Sequence, residues 1–428
     1  MKTLFPLLLL MTIPLCLFSQ GKDDKSLPKP FATKSASNYS KVIGWKDGET
    51  PKAPEGFTVS KYADGFENPR WMYVLPNGDV LVAQSNSNYS FFKQIGAWII
   101  GAGGSNNLKH SADRITLLRD TDNDGLPDKR EILLTKKEGL NQPFGMLLIG
   151  DCLYVANTDA ILSYPYTPGQ TKIAEMGQKV VALPAGKVNR HWTRNIIANQ
   201  DNSKIYIAVG SGDNAGEKGM EHEVMRANIL VMNPDGSNLQ EYASGLRNPV
   251  GMAWEPTTQS LWTSVNERDE LGDNLVPDYL TSVKEDGYYG WPYTYWGNHL
   301  DPRMPIPPNV RLKEAIVPDV DLGSHTASLG LVFYTANVFP KKYRNGAFVV
   351  QHGSWNRNVL SGYRVVFVPF VNGKPIGKPE DFLTGFIVDS KRNKVRGRPV
   401  GAVVMPDGSM LVTDDTTHHI WRIAYTGK

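Results

Sequence analysis

The sequence predicts an all-β fold, a six-bladed β-propeller, on three observations. One strand-turn-strand pattern recurs six times, no segment carries a sustained amphipathic helical period, and 40 Gly with 29 Pro among 428 residues supply turns at the density that many short strands require. Each copy opens on a small or proline-containing step, runs through apolar residues, turns on Asn, Asp or Gly, and continues as a second apolar strand with a polar end.

In chain order the first copy is Pro69 to Ser85 (PRWMYVLPNGDVLVAQS), followed by Pro143 to Asn157 (PFGMLLIGDCLYVAN) and Arg194 to Gly210 (RNIIANQDNSKIYIAVG). The fourth is Pro249 to Asn266 (PVGMAWEPTTQSLWTSVN), the fifth Ser328 to His352 (SLGLVFYTANVFPKKYRNGAFVVQH), and the sixth Pro399 to Asp415 (PVGAVVMPDGSMLVTDD). The copies start roughly 50 to 80 residues apart, against about 40 to 50 in common propeller repeats. Insertions are therefore expected, at Asn86 to Asp113 and at Asp286 to His325. Phe57 to Tyr62 (FTVSKY) precedes the first copy and is expected to supply a strand to the last blade, closing the ring. Two stacked β-sandwiches are the alternative, which sixfold recurrence disfavours.

Residues 1–20 read as an export signal: Lys2, an apolar run from Leu4 to Phe18, then Ser19 and Gln20. The run is too short for a good membrane span, so none is expected in the mature chain, and the protein is expected to be periplasmic or secreted. Cys16 lacks the small residue that lipidation usually needs before it, which makes an anchored form the minor reading. Without Cys16, Cys152 is the sole cysteine and no internal disulfide can form. Residues 21–55, rich in Lys, Ser, Pro and Asp, are expected as a flexible lead-in to a propeller spanning 56–428. A net charge of +3 with no long basic run excludes a nucleic-acid footprint.

Four constellations carry chemistry. Asp120 to Glu131 (DTDNDGLPDKRE) fits the twelve-residue calcium loop, with Asp120, Asp122, Asp124, the Leu126 carbonyl, Asp128 and Glu131 as candidate ligands. Its flanks read as strands, so a helical sensor is not expected; the full spacing favours calcium over a metal-free acidic turn. His191, at the start of the third copy, is placed to face the channel as a base, with Gln142, Arg247 and Asn248 at corresponding places in neighbouring blades. Arg396 and Arg398 alternate onto one side of an extended segment, where two guanidiniums imply a carboxylate or phosphate unless the segment is a solvated loop. The acids of Asn266 to Asp273 bind a cation, pair with arginines or solvate a loop; spacing leaves these open. Serine-hydrolase elbows, P-loops, zinc-protease motifs and dinucleotide fingerprints are missing.

These residues resemble the soluble quinoprotein sugar dehydrogenases, six-bladed propellers that use pyrroloquinoline quinone (PQQ), and their sorbosone dehydrogenase-like relatives. The resemblance rests on RHWTRNI, SGLRNPVGMAWEP, VNERDELGDNLVPDY, YYGWPY, QHGSWNR and GRPVGA, and spans Gly56 to Tyr425. It implies His191 as general base, Gln142 as a contact to substrate and quinone, Arg247 and Asn248 on the quinone oxygens, and Arg396 and Arg398 on its carboxylates. It further implies a cofactor calcium on backbone carbonyls near Glu267 and Arg268, Arg357 as a candidate for a fifth-blade lysine, and Asp213 near the substrate. The implied activity is oxidation of a small sugar, sugar aldehyde or related alcohol, with electrons passed to an external acceptor. The rivals are a calcium-dependent lactonase or esterase, which predicts axial carboxylates, and a propeller serving only as a binding module.

Overall fold

The computed structural model describes residues 27–88, 102–105, 108, 110–308 and 312–427. The expected export signal and Cys16 lie outside these residues. Six antiparallel sheets of four strands form the blades, and the third adds a short parallel strand, Gly287–Tyr288, from the expected insertion after blade 4 begins. Their innermost strands are Pro69–Val74, Met146–Ile149, Arg194–Ala198, Pro249–Trp254, Ser328–Phe333 and Pro399–Val404, one from each predicted copy. Each touches the next, and the last touches the first, so the six make a closed ring. Phe57–Ala63 pairs antiparallel with His419–Tyr425 as the outer strand of blade 6, where FTVSKY is expected to close the fold.

Successive side chains point to opposite faces of each blade, and in central strands such as Val80–Gln84 and Ala347–Gln351 both faces are buried between neighbouring blades. One such layer joins Phe348, Phe367 and Phe382 of blade 5 to Trp421 of blade 6; another joins Leu117 of blade 1 to Leu153 and Tyr164 of blade 2. At the axis the inner strands approach too closely for side chains. A Cβ on Gly251 would stand 2.5 Å from the Leu329 carbonyl oxygen, and one on Gly330 2.7 Å from that of Val400. The glycine within PVGM, SLGL and PFGM is thus a condition for closing the ring. In blade 3 Asn195 takes the glycine's place, and its amide donates to the Val250 carbonyl of blade 4 at 2.8 Å.

The lead-in departs from expectation, because residues 31–52 are strapped onto the propeller. Phe31 N donates to Leu271 O, Lys41–Val42 pairs in parallel with Lys394–Val395, and Lys52 pairs with Thr384. Trp45 packs edge-on against Phe386 and Trp421, and its indole donates to Asp414 at 3.0 Å. The strap is held by backbone hydrogen bonds, isolated aromatic contacts and single side-chain pairs, none of which leaves an apolar period in the sequence.

Candidate active site

A cavity of about 340 Å³ opens at the end of the ring where the inner strands begin. Beneath it an apolar layer that includes Phe144, Trp192, Val250 and Leu329 plugs the channel. His191 projects into the cavity from the loop before the third inner strand. Fully buried Arg194 stitches that loop, donating to the carbonyls of His191, Thr193 and Pro184 and to Asn189 Oδ1. On the far side, a Cβ on Gly210 would lie 2.6 Å from His191 Cβ, so only glycine lets the ring of His191 sit there.

His191 Nδ1 lies 2.9 Å from both the carbonyl oxygen and Oγ of Ser211. A carbonyl only accepts, so Nδ1 carries the hydrogen and Nε2 keeps its lone pair. Burial, then the charges of Arg247 and Arg190, holds the imidazole well below its ordinary value and therefore neutral. The site thus contains an oriented, unprotonated base.

Two buried carboxylates organise the surrounding cations. Asp269 meets Arg247 at 3.3 Å, Arg190 at 3.5 Å and His325 at 3.3 Å. Burial opposes its ionisation, but the hydrogen bond from His325 and the arginine charges outweigh that and hold the carboxyl well below the usual range. Asp415 pairs with His352 at 3.0 Å and with Arg70. It too is held down against burial, by the His352 imidazole that faces it and by the Arg70 guanidinium. Arg247 is further fixed by Asn214 and Asn266, and burial lowers it only to about 10, so it stays cationic.

Of the sequence-predicted residues, His191, Arg247 and Arg398 line the cavity. Arg398 donates to the His352 and Gly353 carbonyls from the start of the sixth inner strand. Arg396 does not join it: the strap supplies Glu49 at 2.8 Å and Trp45 beneath the guanidinium, so the expected side-by-side arginine pair is replaced by a salt bridge. Gln142 is buried next to the site, but its amide donates to the Asn86 carbonyl, and Asn248 stands behind Gly210 with its Oδ1 buried and without a partner among the described residues. Asp213 caps its own loop through the N–H groups of Gly216 and Lys218, and Arg357 donates outward to Asn274. Glu267 and Arg268 form a buried ion pair with each other, and Arg268 continues to Asp301.

The expected calcium loop is a hairpin between Arg114–Arg119 and Lys129–Thr135, with strand flanks as anticipated. Asp120, Asp122 and Asp124 place one carboxylate oxygen each within 4.8 Å of the others. Asp128 and Glu131 lie outside that group: Asp128 accepts from Thr121, and Glu131 stands opposite Leu117 in the strand ladder. The Leu126 N–H donates to Asp124 at 2.7 Å.

Sequence reasoning missed Arg70, Arg190, His325, His352 and Asp415 as site residues. Arg190 and His352 sit inside the RHWTRNI and QHGSWNR motifs, where their polar character beside a strand is the available signal. Arg70 and Asp415 meet only through the closed ring, and His325 meets Asp269 from a separate loop.

The model of the TrAA12-like family matches residues 109–285 and 311–426. A protein of Borreliella burgdorferi described only as uncharacterized is 29% identical over 389 residues, covering 88% of this chain and 91% of that protein. An aldose sugar dehydrogenase of Escherichia coli is 25% identical over 194 residues, covering 44% of this chain and 45% of that protein. Among solved structures, a calcium structure of a Trichoderma reesei carbohydrate-active enzyme of family AA12 superposes with a TM-score of 0.70 at 17% identity, covering 91% of this chain and 99% of the other. The holo form of the pyranose dehydrogenase PQQ domain from Coprinopsis cinerea superposes at 0.68 and 19%, covering 90% and 100%.

Proposed function

The chain belongs to the TrAA12-like family, and from that premise we propose that it is a dehydrogenase oxidising a sugar, sugar aldehyde or related alcohol with PQQ. The observation that carries this reading is His191: a neutral, tautomer-fixed base facing a cavity lined by four arginines. Those arginines, Arg70, Arg190, Arg247 and Arg398, face one lining carboxylate, Asp269, an excess of positive charge that suits a ligand bearing several carboxylates. Arg70 Nε is buried with no partner among the described residues, a donor such a ligand would satisfy.

In this reading Arg398 and Arg70 hold the quinone's carboxylates and Arg247 its ring oxygens. The bound quinone supplies a two-electron acceptor for the hydride leaving the substrate carbon. His191 Nε2 takes the hydroxyl proton, while Ser211 keeps the imidazole oriented and Arg194 keeps its loop in place. The apolar layer of Phe144 and Trp192 shuts water out of the channel from below. An external acceptor then removes the electrons. A calcium on the Glu267 and Arg268 carbonyls fits poorly, since neither residue lines the cavity and the Arg268 cation is buried there; no step is assigned to it. The lactonase alternative requires axial carboxylates free to hold an ion, whereas Asp269 is engaged by two arginines and a histidine. Export to the periplasm or medium belongs to the same proposal; no helix among the described residues is long and apolar enough to cross a membrane.

The test is reconstitution of the purified protein with PQQ. Quinone absorbance should titrate onto the chain and sugar-dependent dye reduction should appear. His191→Ala should keep the quinone while losing about 10²- to 10⁴-fold in turnover. Absence of both quinone binding and dye reduction overturns the proposal.

A further inference from the structure

The propeller alone does not complete the cavity wall. Tyr39 and Ser40, carried by the strap, line it together with Trp355 and Arg190. The Tyr39 ring stacks on Trp355 with centroids 5.7 Å apart and planes 13° from parallel, and the Arg190 guanidinium lies 5.5 Å from the same indole. Beside this stack, Ser40 is 2% exposed, and its Oγ has no hydrogen-bond partner among the described residues. A buried hydroxyl left unpaired costs free energy that a ligand hydroxyl would recover.

The strap holds both residues firmly. Asn38 N donates to Trp355 O at 2.7 Å and its amide to Asn358 O at 2.9 Å, and the next residues enter the ladder with Lys394–Val395. An aromatic surface next to an unsatisfied hydroxyl and a guanidinium is complementary to a pyranose, which offers an apolar C–H face rimmed by hydroxyls. We propose that Tyr39 and Ser40 determine sugar specificity: Tyr39 with Trp355 presents the aromatic surface that the sugar ring meets, and Ser40 Oγ hydrogen-bonds one of its hydroxyls. This rests on the sugar-oxidising reading above.

The experiment compares wild type, Tyr39→Ala, Tyr39→Phe and Ser40→Ala, each loaded with PQQ. D-glucose, D-galactose and D-xylose are titrated calorimetrically, and KM and kcat are measured with a dye. Tyr39→Ala and Ser40→Ala should each weaken sugar binding and raise KM by about tenfold, a loss of about 1.4 kcal/mol. Their kcat, quinone titration and melting temperature should stay at the wild-type values, and Tyr39→Phe should restore sugar binding. Equal sugar binding by wild type and both alanine variants overturns this inference and leaves the quinone reading standing. Loss of quinone affinity in parallel with sugar affinity overturns it too, since the strap would then act only as scaffold. A wild type that takes up quinone but none of the three sugars removes the sugar reading itself, and this inference with it.

Discussion

Asp269 and Asp415 are two versions of one device, a buried carboxylate joined to a histidine and an arginine, yet their histidines are driven in opposite directions. Burial disfavours the charged imidazole in both. His325 overcomes it, because Nδ1 faces Asp269 and Nε2 faces the Gly272 carbonyl at 2.8 Å, so both ring hydrogens of the cation find acceptors and its pKa is raised. Among the described residues His352 has one acceptor, Asp415, and the charge of Arg398 adds to burial; together they lower it to about 4 despite the acid. A carboxylate alone therefore does not fix the charge of a buried histidine. The number of acceptors and the neighbouring cations decide.

The largest effect should come from Asp269→Asn, which leaves fully buried Arg247 without its counter-charge and His325 without its carboxylate partner. Stability in chemical denaturation should fall by about 3 to 5 kcal/mol, as when one partner of a buried ion pair is removed. Because Asp269 also raises the basicity of His191, turnover should drop as well. Asp415→Asn should cost less, about 1.5 kcal/mol, since His352 is already neutral and only the partly accessible Arg70 loses an ionic partner. Equal losses in the two variants would break the comparison.

Titration sharpens it further. The unfolded chain protonates a histidine near 6.5, whereas folded His352 waits until about 4, so unfolding takes up a proton between these values. The stability this histidine contributes is complete above 6.5 and is lost as pH falls toward 4. His325 behaves with the opposite sign: its contribution is complete below 6.5 and fades as pH rises through its raised value. Imidazole NMR shifts should resolve the two, and His352→Gln should flatten the slope of stability against pH between 6.5 and 4. An unchanged slope would show that His352 is not buried as a neutral group.

The part of this site that repeats was legible in the sequence. The inner ring announces itself because close packing forces the same glycine-centred strand into successive blades, and His191, Arg247 and Arg398 stand at equivalent strand starts. The device around Asp415 was not legible: Arg70 and Asp415 are 345 positions apart and meet only where the first and last blades close the ring. His325 gains its partner from a loop in the preceding blade, and no spacing encodes that. Arg396 was misread for a similar reason, since Glu49 arrives from a strap with no periodic pattern. Closure and strapping join residues that share no local grammar.

A third carboxylate cluster completes the contrast, because Asp120, Asp122 and Asp124 form no salt bridge among the described residues. Each carboxylate instead accepts a loop N–H, at 2.8 Å from Gly125, 3.4 Å from Asp124 and 2.7 Å from Leu126. Against its hydrogen bond from Asp124 N, the charge of Asp124 raises the Asp122 carboxyl, the mark of like charges left together. One Asp120 oxygen is also buried without a partner among the described residues. A divalent cation would relieve both conditions, so calcium is predicted to bind this hairpin. The loop joins the two outer strands of blade 1, away from the cavity, and its carboxylates are largely exposed. Saturating calcium should therefore stabilise the protein by only about 1 to 2 kcal/mol, through binding to the folded state alone. Asp120→Asn should abolish that increment in thermal melts with and without chelator, while quinone uptake and turnover remain as in the wild type. A melting temperature indifferent to calcium would mean that the loop's own N–H groups suffice, and that uncompensated charge is tolerated at the blade edge where the buried sites cannot tolerate it.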